Sequence, residues 1–120
     1  MAADCLFCRL ARGELGADLL HQDGTCVAVA DIAPQAPVHL LVLPRRHLAS
    51  TADADPGLEA LSGHLVAVAA GLARARGLDA TGYRLVFNVG RHALNSVPHL
   101  HMHVLGGQQM GWPPGVEPIA

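Results

Sequence analysis

Aromatic side chains are nearly missing from these 120 residues: one Trp, one Tyr and two Phe make up 3% of the chain. A core cannot then rest on large rings, and with hydrophobic residues at 51% it must be built from Leu, Val and Ala. Charge is scarce too, at 15%, with a formal net charge of −2 and no basic run longer than Arg45-Arg46. This excludes the electrostatic footprint of a nucleic-acid-binding protein. A nucleotide-sized anion needs only local donors and is not excluded. No stretch reaches about 18 uninterrupted apolar residues, so no transmembrane helix is expected. Residues 1–10 carry an Asp and two cysteines where a signal peptide has basic residues and an apolar run, which predicts a cytoplasmic chain with no membrane role. Three cysteines in a reducing compartment do not make a disulfide framework. The length suits one domain, residues 1–120, closing in a Gly/Pro-rich segment over 106–120. A small aliphatic core leaves little surplus stability, and oligomerisation would supplement it.

What remains is patterned. Leu58, Leu61, Leu65, Val68 and Leu72 recur at spacings of three and four, which predicts a long helix over Pro56–Arg76. Asp55 and Pro56 suit its start, and Gly77 a left-handed end. Leu6–Gly13 predicts a short helix. Strands are expected at Thr25–Ala30, Val38–Leu43, Tyr83–Val89 and Pro98–Leu105, with a weak edge strand at Ala17–His21. Pro34 and Pro37 make Asp31–Pro37 a loop. Strands on either side of one long helix imply an α+β fold with an antiparallel sheet of about five strands.

Eight histidines are the one excess in the composition. His99, His101 and His103 alternate with Leu100, Met102 and Val104. On an extended strand, alternate side chains share a face, so the three imidazoles would line one surface about 7 Å apart. An ordinary core strand gains nothing from three titratable rings. Binding one ion by all three is awkward, because the outer two stand about 13 Å apart along the backbone. Chemistry on a phosphate fits the pattern better.

The run His99-Leu100-His101-Met102-His103-Val104-Leu105 resembles the His-x-His-x-His-x-x signature of the histidine triad family. The likeness extends through Asp31-Ile32, Pro34-Gln35-Ala36-Pro37 and His39, then Pro44-Arg45-Arg46-His47, Gly82-Tyr83-Arg84, Asn88 and Trp112-Pro113-Pro114-Gly115. The last of these is similar to the Hint branch, whose members are nucleoside phosphoramidases. The resemblance implies a purine nucleotide substrate of AMP type, cleaved through a covalent nucleotidyl-histidine on His101. It implies that the His99 carbonyl holds one nitrogen of that ring, that His103 bonds the phosphate oxygens, and that His39 supports the triad from behind. Asp31 would grip the ribose hydroxyls, Ile32 would line the base pocket, and Asn88, Asn95 and Ser96 would touch the phosphate. A homodimer is implied, with Trp112 reaching towards the partner's site. Splitting the displacement in two is the usual gain of covalent catalysis.

One departure stands out. Where the Hint branch has Gly-Gly-Gln-Ser, this chain has Ala93-Leu94-Asn95-Ser96, which alters the phosphate loop and leaves the nucleophile untouched. Two other readings stay open: hydrolysis of dinucleoside polyphosphates, as in the Fhit branch, and a zinc-stabilised nucleotide-binding module without turnover. Cys5 and Cys8 form a C-x-x-C that is either half a zinc site or a pair of buried thiols. Some histidine triad proteins complete such a site with residues like His47 and His99, which implies a structural Cys₂His₂ zinc. Cys26 reads as core, and His21, His64 and His92 match nothing.

Overall fold

The computed structural model describes residues 5–116. In chain order it contains helix α1 (Leu6–Ala11), strands β1 (His21–Gln22), β2 (Cys26–Ala30) and β3 (Val38–Pro44), helix α2 (Leu58–Ala75), and strands β4 (Tyr83–Phe87) and β5 (Met102–Gly106). The five strands form one antiparallel sheet in the order β1-β2-β3-β5-β4. This is the α+β architecture the pattern predicts, with β3 central and β5 held between β3 and β4, both of which pair with it over Met102–Gly106.

Period-two alternation divides the sheet into two faces. On one, Cys26, Ala28, Leu40, Val42, Leu100, Met102 and Val104 meet Leu61, Leu65, Ala69 and Ala73 of α2. Leu65 is fully buried there, and truncating it to Ala would cost about 2–5 kcal/mol. On the other, Val27, Val29, Leu41 and Leu43 meet Phe7 and Ala11 of α1. The histidines of the 99–103 run share this second face, opposite their apolar partners. Helix α2 is long and apolar enough, at a mean hydropathy of 1.2, to cross a membrane. Its row of Leu61, Leu65, Ala69 and Ala73 is spent on the sheet instead.

Several boundaries differ from the sequence expectation. The last strand begins at Met102 and not at Pro98, because β3 and β4 offer partners only from Met102 onwards and Pro98 has no N–H to donate. His99 and His101 therefore precede the ladder, and this stretch is tied instead by a bond from Leu100 N–H to the Leu48 carbonyl at 2.6 Å. The edge strand is confined to His21–Gln22, and the third long strand stops at Phe87 rather than Val89. Helix α2 starts at Leu58, since Asp55 Oδ1 caps the preceding turn by accepting the Gly57 N–H at 2.8 Å. Gly77 does adopt the left-handed conformation after the helix, at φ 73°. Gly106 ends β5 where a Cβ would stand 2.8 Å from Leu78 Cδ1, so a larger residue would have to displace the buried Leu78 side chain.

His21 and His64, unassigned from the sequence, converge on one carboxylate. Each places Nε2 2.8 Å from Asp23 Oδ2, while Oδ1 accepts the Thr25 and Cys26 N–H groups. The bond from His64 joins α2 to the β1–β2 turn. These partners hold Asp23 well below the usual carboxylate range, the hydrogen bond from His21 contributing most. Burial and the Asp23 charge push the Cys26 thiol up to about 12, an inert core group as expected.

Candidate active site

A cleft of about 590 Å³ opens on the face away from α2, lined by Leu6, Phe7 and Leu10, by Val29, Asp31, Ile32 and Leu41, and by Ser96, Val97, His101 and His103 among others. It brings α1, the end of β2 and the start of β5 to one place. Loop 31–37 follows β2, so Asp31 stands at the rim with its N–H on the His39 carbonyl at 2.9 Å.

The hydrogen bonds around the imidazoles settle their tautomers, because a carbonyl can only accept and a backbone N–H can only donate. His101 Nδ1 lies 2.7 Å from the His99 carbonyl, so Nδ1 carries the proton and Nε2 keeps a free lone pair. The Gln35 N–H donates to His39 Nδ1 at 3.0 Å, which puts the His39 proton on Nε2. That proton is donated to His103 Nδ1 at 2.8 Å, with Asp31 Oδ2 3.3 Å away. His103 therefore carries its own proton on Nε2. Burial, then the neighbouring His101 and His39, lower the His103 pKa and so favour the neutral ring. The arrangement offers one nucleophilic nitrogen and, on the next imidazole of the same face, one N–H donor; the two ring centroids are 5.1 Å apart. Phe7 meets the His101 ring edge-to-face, at 4.9 Å and 84°.

Behind His101 lies a second cluster. His99 is fully buried and donates Nε2–H to the Pro44 carbonyl at 2.8 Å, which turns a bare Nδ1 towards Cys5, Cys8 and His47. Cys5 Sγ and Cys8 Sγ are each 3.4 Å from that Nδ1; His47 Nδ1 is 3.3 Å from both Cys8 Sγ and His99 Nδ1. Four donors this close surround a point. Bonds of about 2.0–2.3 Å to a tetrahedral ion put ligands roughly 3.3–3.8 Å apart, so the set fits zinc in both chemistry and spacing. The C-x-x-C and both histidines thus come together as the resemblance implied. No local signal could have joined them, since Cys8 and His99 are 91 residues apart.

The remaining site residues are placed unevenly. Ser96 lines the cleft, and Ile32 does so while fully exposed, at 101%, so it is a rim residue and not core. Asn88 is half-buried beyond β4 and does not line the cleft. Asn95 faces a neighbouring cavity of about 500 Å³ that shares Ser96, and its buried Oδ1 has no hydrogen-bond partner among the described residues. Leu94 there holds φ 59°, a left-handed conformation that glycine adopts freely and that a side chain disfavours. Trp112 is 84% exposed and outside the cleft of its own chain.

A five-stranded sheet with its alternating imidazoles wired through one another and through a backbone carbonyl defines the histidine triad class of domain. The HIT domain model matches residues 12–110, and the chain belongs to that family. An uncharacterised HIT-like protein of Synechococcus elongatus is 43% identical over 115 residues, covering 96% of this chain and all of the relative. A HIT family hydrolase from Legionella pneumophila superposes with a TM-score of 0.90 at 46% identity, covering 93% of this chain and 100% of the other. A histidine triad nucleotide-binding protein from Candida albicans gives 0.78 at 26% identity, with coverages of 96% and 87%. A zinc-bound histidine triad family protein from Mycobacterium smegmatis gives 0.78 at 29%, with coverages of 96% and 83%.

Proposed function

We propose that this chain is a hydrolase of nucleoside 5′-phosphoramidates that works through a nucleotidyl-histidine on His101. The observation that carries the reading is the 2.7 Å bond from His101 Nδ1–H to the His99 carbonyl, which leaves Nε2 as a lone-pair nucleophile beside a nucleotide-sized cleft. The base rests against Leu10 and Ile32, and the free lone pairs of Asp31 accept the ribose hydroxyls. His101 Nε2 attacks the α-phosphorus, the phosphorus–nitrogen bond to the amine breaks, and the amine departs with a proton that solvent supplies through His103. Positive charge gained by the imidazole is stabilised through the His99 carbonyl. His103 Nε2–H and the Ser96 hydroxyl donate to the phosphate oxygens, where charge develops in the transition state. Water then attacks phosphorus and gives up a proton to solvent, the phosphorus–Nε2 bond breaks to restore the neutral His101 ring, and the nucleoside monophosphate leaves. Asn88 and Asn95 reach the phosphate only if substrate draws the 88–96 loop inwards.

Cys5, Cys8, His47 and His99 would hold a structural zinc, a reading the Mycobacterium smegmatis relative supports. When bound, the ion supplies a closed, non-redox cross-link. His99 then ties it to the carbonyl that orients His101. The chain acts as a symmetric dimer: β4 is an edge strand bearing the exposed Leu85, and an unpaired apolar edge is a liability in a monomer. It works in the cytoplasm on a small nucleotide, without nucleic acid or membrane.

The direct test is rapid acid-free quenching of native protein mixed with an adenosine phosphoramidate, followed by mass spectrometry. An AMP adduct on the peptide carrying His101 is expected. Turnover with no adduct on any histidine would refute the covalent route.

A further inference from the structure

Helix α1 belongs to two sites at once. Cys5 at its N-cap and Cys8 in its first turn supply two of the four metal donors, while Leu6, Phe7 and Leu10 wall the cleft. Phe7 sits between the two cysteines and packs edge-to-face on both His99, at 6.0 Å and 78°, and His101, at 4.9 Å and 84°. One ring thus touches a metal ligand and the attacking imidazole.

The helix has little to hold it on its own. It is six residues long with no side-chain cap, whereas isolated helices are marginal even at about 12–15 residues. Its C-terminal end is fastened by Arg45, which donates to the Ala11 carbonyl at 2.7 Å, and by Ala11 in the apolar cluster. Its N-terminal end has the two thiols and Phe7. Without an ion, thiols are weak hydrogen-bonding groups, so the end that walls the cleft depends on what the four donors hold.

We infer that Phe7 is a positioning residue that couples metal occupancy at Cys5, Cys8, His47 and His99 to nucleotide affinity in the His101 cleft. This rests on the metal and nucleotide readings above and adds their linkage, which is reciprocal: whatever factor zinc adds to nucleotide affinity, nucleotide adds to zinc affinity.

The experiment uses the full chain, with AMP and zinc as probes. Calorimetry should give an AMP Kd about 10-fold tighter with zinc than after chelation, within the usual range for coupled sites. Competition against a chelator should show zinc affinity rising by the same factor under saturating AMP. Hydrogen exchange should show zinc protecting residues 6–11 and leaving β2 and β3 unchanged. Phe7→Leu, which keeps apolar bulk but loses the ring edge, should take up zinc at native stoichiometry with the coupling reduced to within about 2-fold. Zinc uptake with an unchanged AMP Kd overturns the linkage and leaves both separate readings standing. A chain that takes up no zinc, or binds no AMP, overturns it together with the corresponding reading. Loss of protection throughout β2 and β3 on chelation also overturns it, since the link would then be global folding. Full coupling in Phe7→Leu removes Phe7 from the route.

Discussion

His39 donates its Nε2–H to His103 Nδ1 across 2.8 Å, which obliges His103 to present its own proton on Nε2. A buried ring, 64 residues away in sequence, therefore decides what its neighbour offers to the cleft. Burial and the two adjacent imidazoles lower the His103 pKa, which favours a neutral N–H over a cation as this donor.

That neutral donor bears on substrate choice. An amine departs poorly unless protonated, whereas a nucleoside polyphosphate is already a good leaving group, and a general acid is typically worth about 10² to 10⁴ in rate. A neutral imidazole N–H is not itself such an acid, so His103 serves the amine by taking up a proton as the anionic substrate binds; His103→Gln keeps a hydrogen bond but cannot take up that proton. Native protein should show a higher kcat/KM on an AMP-linked primary amine than on diadenosine polyphosphate, and the variant should lose more on the former. Equal losses would limit His103 to placing the phosphate. A native preference for the polyphosphate would assign the chain to the other branch, with the altered loop at Ala93–Asn95 as the cause.

His101→Asn should lower turnover by at least about 10³-fold, because removing a nucleophile disables the whole unit. Thermal stability and AMP affinity should stay close to native, since the ring is half-buried at a cleft and not in either apolar cluster. Substantial residual turnover would sink the assignment.

Purified without a histidine tag, the protein should carry about one zinc per chain by elemental analysis, and Cys5→Ser/Cys8→Ser should carry none. The double variant should melt at a lower temperature, because metal binding is coupled to folding. A native protein free of metal and equally stable would refute the site.

Asp23 predicts an acid limb of stability. Its folded pKa lies below the unfolded value of about 3.9, so its contribution is complete above roughly pH 5 and is lost as pH falls through and below that value. Asp23→Asn should cost about 1–3 kcal/mol at pH 7, the scale of hydrogen bonds to a partly buried charged group. Chemical denaturation at several pH values should show the gap between native and variant narrowing below pH 4. A constant gap from pH 3 to 7 would refute the role of the charge.

Sedimentation at micromolar concentration should show a dimer. Deleting residues 112–120, of which 117–120 lie outside the described residues, should change the ratio of kcat/KM between substrates more than the dimer fraction. A monomeric native protein would contradict the β4 edge as an interface.

Much of this molecule follows from short-range pattern. The period of three and four over Leu58–Leu72 gives α2, and the alternation around His101 assigns imidazoles to one face and aliphatics to the other, because helix and strand periodicity are local properties of the chain. Boundaries were less legible: Pro98 to His101 alternates like a strand, yet a ladder needs partners, and β3 and β4 supply them only from Met102. The family resemblance implied the His101 bond to the His99 carbonyl, but the other tautomers lay beyond the sequence. All depend on which carbonyl or N–H faces each ring, on Pro44 for His99, on Gln35 for His39 and on His99 for His101. The meeting of Cys8 with His47 and His99, and of His64 with Asp23, spans 39, 91 and 41 residues. Such distances are closed by burial of two apolar faces against one sheet, so only the tertiary structure could bring those donors to a common point.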